Sequence, residues 1–442
     1  VEESNPLDRR QLEIDYLDRV LLEHSVWQTV YTPMAGVAKI RQQPEKRQIK
    51  RAVASIKPVF SLREAVQREF AQEAPTLEQA FSDITEAVNK VRQLVVLGDP
   101  GAGKTTTLWK LAADYAEAAK QDASKPLPVL LRLGALSMNV SVREQIQVQL
   151  GDLPLDDLLA EKRLAILFDA LNELPAANRQ AKVEEIRALV TQAQRDKTIA
   201  VVTCRELDYT GELDLKIEEQ VRIAPLDHDR IWQFCANHLP DDGETLFWTL
   251  AGGEGVRETW QTWEKAGASF EQFWTAEDIP RQNPDVYNET TGQHDTIWHN
   301  VVKDRRSMMR LARNPYMLFM MTEVYAETGS LPANRGRLFK TFVDFLLLQR
   351  ERLSEAAAGA LQVKLADFAY HMQDKELGTV TGRDIALMHM DEDDLYTATS
   401  ANLLTGTDEV RFTHQLLQEY FAAKRLDREM QAGTAAETFW KP

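Results

Sequence analysis

Cysteine is nearly missing: the 442 residues hold two, Cys204 and Cys235, and they form no C-x-x-C pair. That excludes a disulfide-stapled scaffold and the cysteine-based zinc and redox motifs. No apolar run approaches the ~18 residues that a membrane span needs, and nothing at the N-terminus has the layout of a secretory signal. Positive charge is also short, with 52 Lys and Arg against 68 Asp and Glu and a formal net charge of -16. Such a surface repels polyanions and anionic lipid unless basic residues cluster. One cluster exists, "KIRQQPEKRQIKR" (39–51), with six Lys or Arg and no interleaved aromatic. It reads as a solvated linker in preference to a nucleic-acid site. The expected home is a reducing cytoplasm, with no membrane partner.

What is present is an ordinary globular composition, 44% apolar and 27% charged, in a chain long enough for two or three packed domains. It opens on Val1 and stops at "ETFWKP" after a strong helical pattern, which gives the expectation of a piece of a longer polypeptide. From residue 94 short apolar runs alternate with helical patterns: "LVVL" (94–97), "PVLLRL" (128–133), "LAILFD" (164–169), "IAVVTC" (199–204) and "QVRIAPL" (220–226). Near-continuous apolar runs suit parallel strands covered on both faces. The segments between them, such as "TTLWKLAADYAEAAK", carry apolar residues at three- and four-residue spacing. The expected fold class is α/β, a parallel P-loop sheet with helices on both faces. Beyond about 227 helices dominate. A Trp-rich stretch at about 243–302 reads either as an insertion packed on the helical region or as a partner-binding patch.

"GDPGAGKT" fits G-x-x-x-x-G-K-[ST] between an apolar strand and an amphipathic helix. In the loop of Gly98, Asp99, Pro100, Gly101, Ala102 and Gly103, the glycines would let backbone N–H groups curl around phosphate oxygens. The helix that follows, starting at Lys104, Thr105 and Thr106, adds its positive dipole end. Lys104 would reach the β- and γ-phosphates, and the Thr105 hydroxyl would ligate Mg²⁺. "LAILFDALNELP" supplies the acids: Asp169 closes a buried strand and would hold Mg²⁺ through water, while Glu173 would orient or activate the attacking water. Glu173 as a capping or solvated loop acid remains the alternative. Arg205, ending the next strand, sits where ligands bind open parallel sheets; it either senses a γ-phosphate or pairs at the surface with Glu206 or Asp208. Cys204 reads as a small core residue.

At this point the residues resemble the NACHT family of signal-transduction ATPases. The resemblance rests on "VVLGDPGAGKTT", "LPVLLRL", "LAILFDALNEL", "VVTCRELDY", "RNPYMLFMMTEVY" and "FTHQLLQEYFAA", in that order. It implies a nucleotide-binding domain, a helical domain and a winged-helix domain folded over ATP or ADP. Pro315 would lie against adenine, and His414 would reach the β-phosphate of ADP. Without the resemblance, Pro315 is a helix-start proline and His414 a satisfied buried histidine. One departure is Asn172, where the family usually carries Asp; it weakens the local negative field and bears on turnover.

The expected division is 1–60, an N-terminal linker and helical segment; 61–226, the nucleotide-binding domain; 227–333, the helical domain with its insertion; 334–430, the winged helix; and 431–442, the start of a further region. The leading functional expectation is a switch that binds and slowly hydrolyses ATP. It would self-associate on activation and control effector and sensor domains elsewhere in the same chain, in signalling or anti-phage defence, a step made by analogy. The alternative is a catalytically weak or inactive nucleotide-binding scaffold. A DNA-acting motor is the third reading, and the acidic charge speaks against it.

Overall fold

The computed structural model describes residues 6–24, 32–41, 76–136, 140–174, 179–196, 198–275, 308–374, 381–406 and 409–434. The first half is built around a seven-stranded sheet. Its strands are β1 (Gly36–Arg41), β2 (Thr76–Phe81), β3 (Gln93–Leu97), β4 (Leu127–Arg132), β5 (Leu164–Asp169), β6 (Ile199–Cys204) and β7 (Gln220–Ile223), in the spatial order β2-β1-β7-β3-β6-β5-β4. From β7 to β4 the pairs are parallel. Every residue of β5 and β6 is buried, as their uninterrupted apolar sequences require of strands covered on both faces. The insertion of β6 between β3 and β5 matters for the site, because it brings a third strand end between the glycine-rich loop and Asp169.

Helices α1 (Pro6–His24), α2 (Ile84–Val91), α3 (Lys104–Gln121), α4 (Val142–Leu150), α5 (Leu155–Ala160) and α6 (Arg179–Asp196) flank this sheet. Residues 1–60, expected as a linker and helical segment, contribute both α1 and β1 to this layer. Arg10 of α1 donates to the Ala119 and Lys120 carbonyls at 3.0 and 2.8 Å, completing acceptors at the end of α3. The Tyr16 hydroxyl donates to the Pro128 carbonyl at 2.6 Å, and buried Glu13 accepts from Arg163 at 2.7 Å. β1 and β2 are antiparallel additions to the β7 edge, and no strand was expected there. Their mixed polar sequences, "GVAKIR" and "TLEQAF", suit strands at a sheet margin, which carry no continuous apolar signal. Residues 42–51 of the basic cluster lie outside the described residues.

The second half is mainly helical, as expected. α7 (His228–His238), α8 (Gly243–Ala251), α9 (Glu254–Lys265), α10 (Phe270–Thr275), α11 (Met308–Ala312) and α12 (Pro315–Thr328) lead to α13 (Arg335–Asp344), which runs into a π-helical turn, Phe345–Arg350. In the Trp-rich stretch, Trp260 meets Phe270 edge-on at 5.0 Å, Trp263 meets Phe273 at 5.3 Å, and Trp274 stacks on His228 at 4.1 Å. These three tryptophans pack inward; Trp298 lies outside the described residues. The chain ends in α14 (Glu355–Asp374), β8 (Thr381–Gly382), α15 (Arg383–Leu387), α16 (Glu392–Ser400), β9 (Leu404–Thr405), β10 (Glu409–Phe412) and α17 (Gln415–Gln431). β8, β10 and β9 form a small antiparallel sheet in that order. α17 is tied to α14 by Lys424 donating to Gln362 at 2.7 Å and by Arg425 and Arg428 on Asp367. Among the described residues no helix is long and apolar enough to cross a membrane.

Candidate functional site

The loop between β3 and α3 is shaped by two glycines with left-handed backbones, Gly101 at φ +79° and Gly103 at φ +92°. An L side chain is strained at either position. At Gly101 there is also no room, since a Cβ would lie 2.6 Å from Asn314 Oδ1. The Ala102 N–H donates to the Asp99 carbonyl at 3.1 Å, closing the turn. Lys104 folds back over this loop, its Nζ donating to the carbonyls of Gly98 at 2.7 Å and Asp99 at 2.9 Å. Burial lowers the Lys104 pKa to about 8; Asp169 opposes that shift and Arg205 adds to it. An ammonium stripped of water at the positive end of a helix is a strong partner for an anion. Thr105 and Thr106 occupy the first turn of that helix, both half-buried.

Across the sheet edge Asp169 is held by two hydroxyls. Thr105 Oγ1 donates to Asp169 Oδ2 at 2.9 Å, and Thr203 Oγ1 donates to Oδ1 at 2.8 Å. Thr203 also accepts the Ala170 N–H at 2.7 Å. Ala170 has φ 61°, a left-handed conformation for a non-glycine residue, which costs on the order of 1–3 kcal/mol and tends to be retained at functional sites. This turn starts the short 3₁₀ segment Leu171–Glu173 above the strand ends. Asn172 Oδ1 accepts the Arg205 N–H at 3.2 Å, so the amide joins the ends of β5 and β6. Arg205 Nε lies 3.7 Å from Asp208, while Glu206 is engaged by Arg222 at 2.6 Å. Glu173 is half-buried, with Lys104 and Arg132 in electrostatic reach. Burial, with Asp208 adding, pushes the Cys204 thiol up to about 12, in keeping with a core residue.

The far half of the chain reaches the same loop. Asn314 caps α12, its Oδ1 accepting from Tyr316 and Met317 N–H at 3.2 Å, while its Nδ2 donates to the Pro100 carbonyl at 2.8 Å. The Tyr316 N–H also points at the Gly101 carbonyl, 3.3 Å away. Pro315 fills the first helical position, where its missing N–H costs nothing. His414 stacks on the Tyr316 ring with centroids 3.5 Å apart and planes 10° from parallel. Its Nδ1 accepts the Leu416 N–H at 3.0 Å, capping α17. Burial pushes the His414 pKa down to about 3, and Lys104 and Arg205 act in the same direction. The ring is therefore neutral, and the network assigns its proton to Nε2.

The structure thus brings Lys104, Thr105, Asp169, Glu173 and Arg205 to one sheet edge, and joins Pro315 and His414 to it through Asn314 and Tyr316. Sequence reading missed Thr203, whose signal was a lone hydroxyl in an apolar strand. It also missed Arg132, which ends β4 abreast of Asp169 with its guanidinium 5.7 Å over the Trp109 ring. Asn314 and Tyr316 carried no signal beyond their place beside Pro315.

Residues 92–242 match the NACHT domain. Among solved structures, a STAND signal-transduction ATPase with a tetratricopeptide repeat sensor from Pyrococcus horikoshii matches at 10% identity and a TM-score of 0.33, over 79% of this chain and 45% of that one. The chain therefore spans less than half the length of that protein. Drosophila ORC bound to DNA matches at 13% identity and a TM-score of 0.28, over 91% of this chain and 99% of that one. No curated protein sequence matches.

Proposed function

We propose that this chain, which carries a NACHT domain at residues 92–242, is an ATP/ADP-dependent switch that hydrolyses ATP slowly. In this reading Gly98–Thr106 cradle the phosphates, Lys104 takes up their charge, and Glu173 orients and deprotonates the attacking water. Arg205 meets the charge that develops on the transferred phosphoryl group. Thr105 Oγ1 and Asp169 Oδ2, hard oxygen donors 2.9 Å apart, suit Mg²⁺ and would hold it. Among the described residues no group of three His, Cys, Asp or Glu could bind a metal unaided, so phosphate and water oxygens would complete the set. The ion would supply charge neutralisation at the phosphates.

Pro315 lies against the base, and residues 334–430 act as a winged helix whose His414 donates Nε2–H to the β-phosphate of ADP, closing the molecule. Exchange for ATP opens it for self-assembly, controlling further domains of a longer signalling or defence protein. The observation that carries this reading is His414, stacked at 3.5 Å on the residue bonded to the phosphate-binding loop. A hydrogen bond to a charged acceptor made only in the closed state is worth about 1.5–3 kcal/mol. His414→Ala should therefore speed ADP release about tenfold or more and change ATP release less. Equal effects on both nucleotides, or none, overturn the latch.

Asn172 favours a second reading, a scaffold that holds nucleotide without turnover, because its amide is engaged with Arg205 where an acid would add negative field. Turnover by the 442-residue chain separates the two.

A further inference from the structure

We propose that Tyr316 is a positioning residue that couples the phosphate-binding loop to His414, so that the imidazole stays aimed at the phosphates only while the loop holds Tyr316 in register. The proposal rests on the reading of His414 as a nucleotide contact.

Tyr316 is fixed at its backbone by the loop and at its ring by the histidine. Its N–H is shared between Asn314 Oδ1 at 3.2 Å and the Gly101 carbonyl at 3.3 Å, and Asn314 is itself bonded to Pro100 at 2.8 Å. The fit has no slack, because a Cβ at Gly101 would come within 3.1 Å of the Tyr316 Cβ. A shift of the loop therefore moves the first turn of α12, and the Tyr316 ring with it.

Two contacts bear on the orientation of the buried His414 ring, a hydrogen bond and a stack. Its own element supplies one hydrogen bond, Leu416 N–H to Nδ1 at 3.0 Å. That bond fixes which nitrogen carries the proton and anchors one edge of the ring; the near-parallel stack, 3.5 Å apart and 10° from coplanar, fixes the plane in which the Nε2–H vector lies. The phenol hydroxyl of Tyr316 makes no hydrogen bond with the described residues, so the ring face is the part that acts. A loop that reshapes around one more phosphate group would tilt this face and turn the imidazole away. The bound nucleotide is then read by geometry, with no charge change at His414.

The test measures release of fluorescent ADP and of a non-hydrolysable ATP analogue from the 442-residue chain by stopped flow. Tyr316→Leu should speed ADP release about three- to tenfold, the range of an aromatic pair, and leave release of the analogue nearly unchanged. Tyr316→Phe keeps the face and should behave as wild type. In Tyr316→Leu/His414→Ala release should be no faster than in His414→Ala alone, because the two residues act in series. Tyr316→Met repeats the test if the leucine variant folds poorly. Multiplying effects in the double variant, equal acceleration of both nucleotides, or a fast Tyr316→Phe would overturn the coupling. An unaffected His414→Ala would overturn the latch beneath it, whereas a fast His414→Ala beside a normal Tyr316→Leu overturns the coupling alone.

Discussion

Two regions meet at the same phosphate-binding loop, and burial acts on them with opposite results. Lys104 and His414 are both basic groups taken out of water, and both pKa values fall. Lys104 starts from 10.5 and stops at about 8, so it stays charged near neutral pH. His414 starts from 6.5 and falls to about 3, so it stays neutral. The first region offers a cation and the second an uncharged N–H donor. The regions also differ in assembly. Gly98–Thr105 is contiguous and shaped by its own backbone, whereas Asn314, Tyr316 and His414 come together only through tertiary packing. In the proposed switch the local chemistry would hold a phosphate chain, and the distant chemistry would report which one is held.

The sharpest way to break this contrast is Lys104→Ala. Loss of the buried ammonium should abolish nucleotide binding in a chain that still folds. Wild type should gain about 2.7 kcal/mol from ADP at one hundred times its dissociation constant. The variant should gain nothing, and a normal rise in melting temperature with ADP would contradict the assignment. Next in size is Glu173→Gln, which keeps the binding contacts and withdraws the group that orients water. Turnover should drop roughly 10²-fold or more with affinity retained, read by phosphate release beside equilibrium binding.

The same contrast explains what was legible beforehand. The parallel strands from β3 to β7 were visible because burial on both faces demands uninterrupted apolar runs; Lys104 and Thr105 stood out by the spacing of a glycine-rich phosphate loop, and Asp169 by closing a buried strand. The structure places those three together, with Thr105 and Asp169 in direct contact. β1 and β2 were illegible because marginal strands carry mixed polar sequence. Thr203 was overlooked because its importance depends on β6 lying between β3 and β5, a topological fact absent from the strand itself. Tyr316 resembled any aromatic early in a helix; the ring it meets is nearly a hundred residues away in sequence. Asn172 stood out as a departure from a family pattern, yet its bond to the Arg205 N–H needed coordinates to be seen.

Thr203→Val sharpens the local side of the contrast. The substitution keeps shape and removes the hydroxyl that serves Asp169 and Ala170, leaving buried groups short of a partner at a cost of about 1–3 kcal/mol. Stability should fall by that amount, and turnover should fall because Asp169 loses its orientation. Full activity with an unchanged denaturation midpoint would make Thr203 incidental. Gly101→Ala probes the seam between the regions: the left-handed backbone alone costs about 1–2 kcal/mol, before the clash with Asn314. Its melting temperature should fall, and ADP release should quicken more than in Thr203→Val.

The smallest expected effect is a pH window for ADP retention, with one region setting each edge. Without nucleotide, burial holds His414 neutral when closed and it is ordinary when exposed, so the open state binds more protons between about 3 and 6.5. Closure by His414 is thus complete above 6.5 and weakens as pH falls below it, by at most tenfold per unit. Burial, Lys104 and Arg205 disfavour protonation of the ring, and the β-phosphate of bound ADP opposes them, so the acid limb is shallower than that limit. At the other edge the Lys104 ammonium of the free loop is lost as pH rises through about 8, and phosphate binding weakens because the lysine must be protonated again. His228, lowered to about 4 by burial, destabilises the fold in acid but does not touch this loop, so the two are separable by variant. ADP release measured from pH 5.5 to 9 should be slowest between 6.5 and 8 and faster at 5.5, by less than tenfold. In His414→Gln the acid limb should flatten while the alkaline limb stays, and an acid limb that survives this substitution would belong to general unfolding and remove His414 from control of the switch.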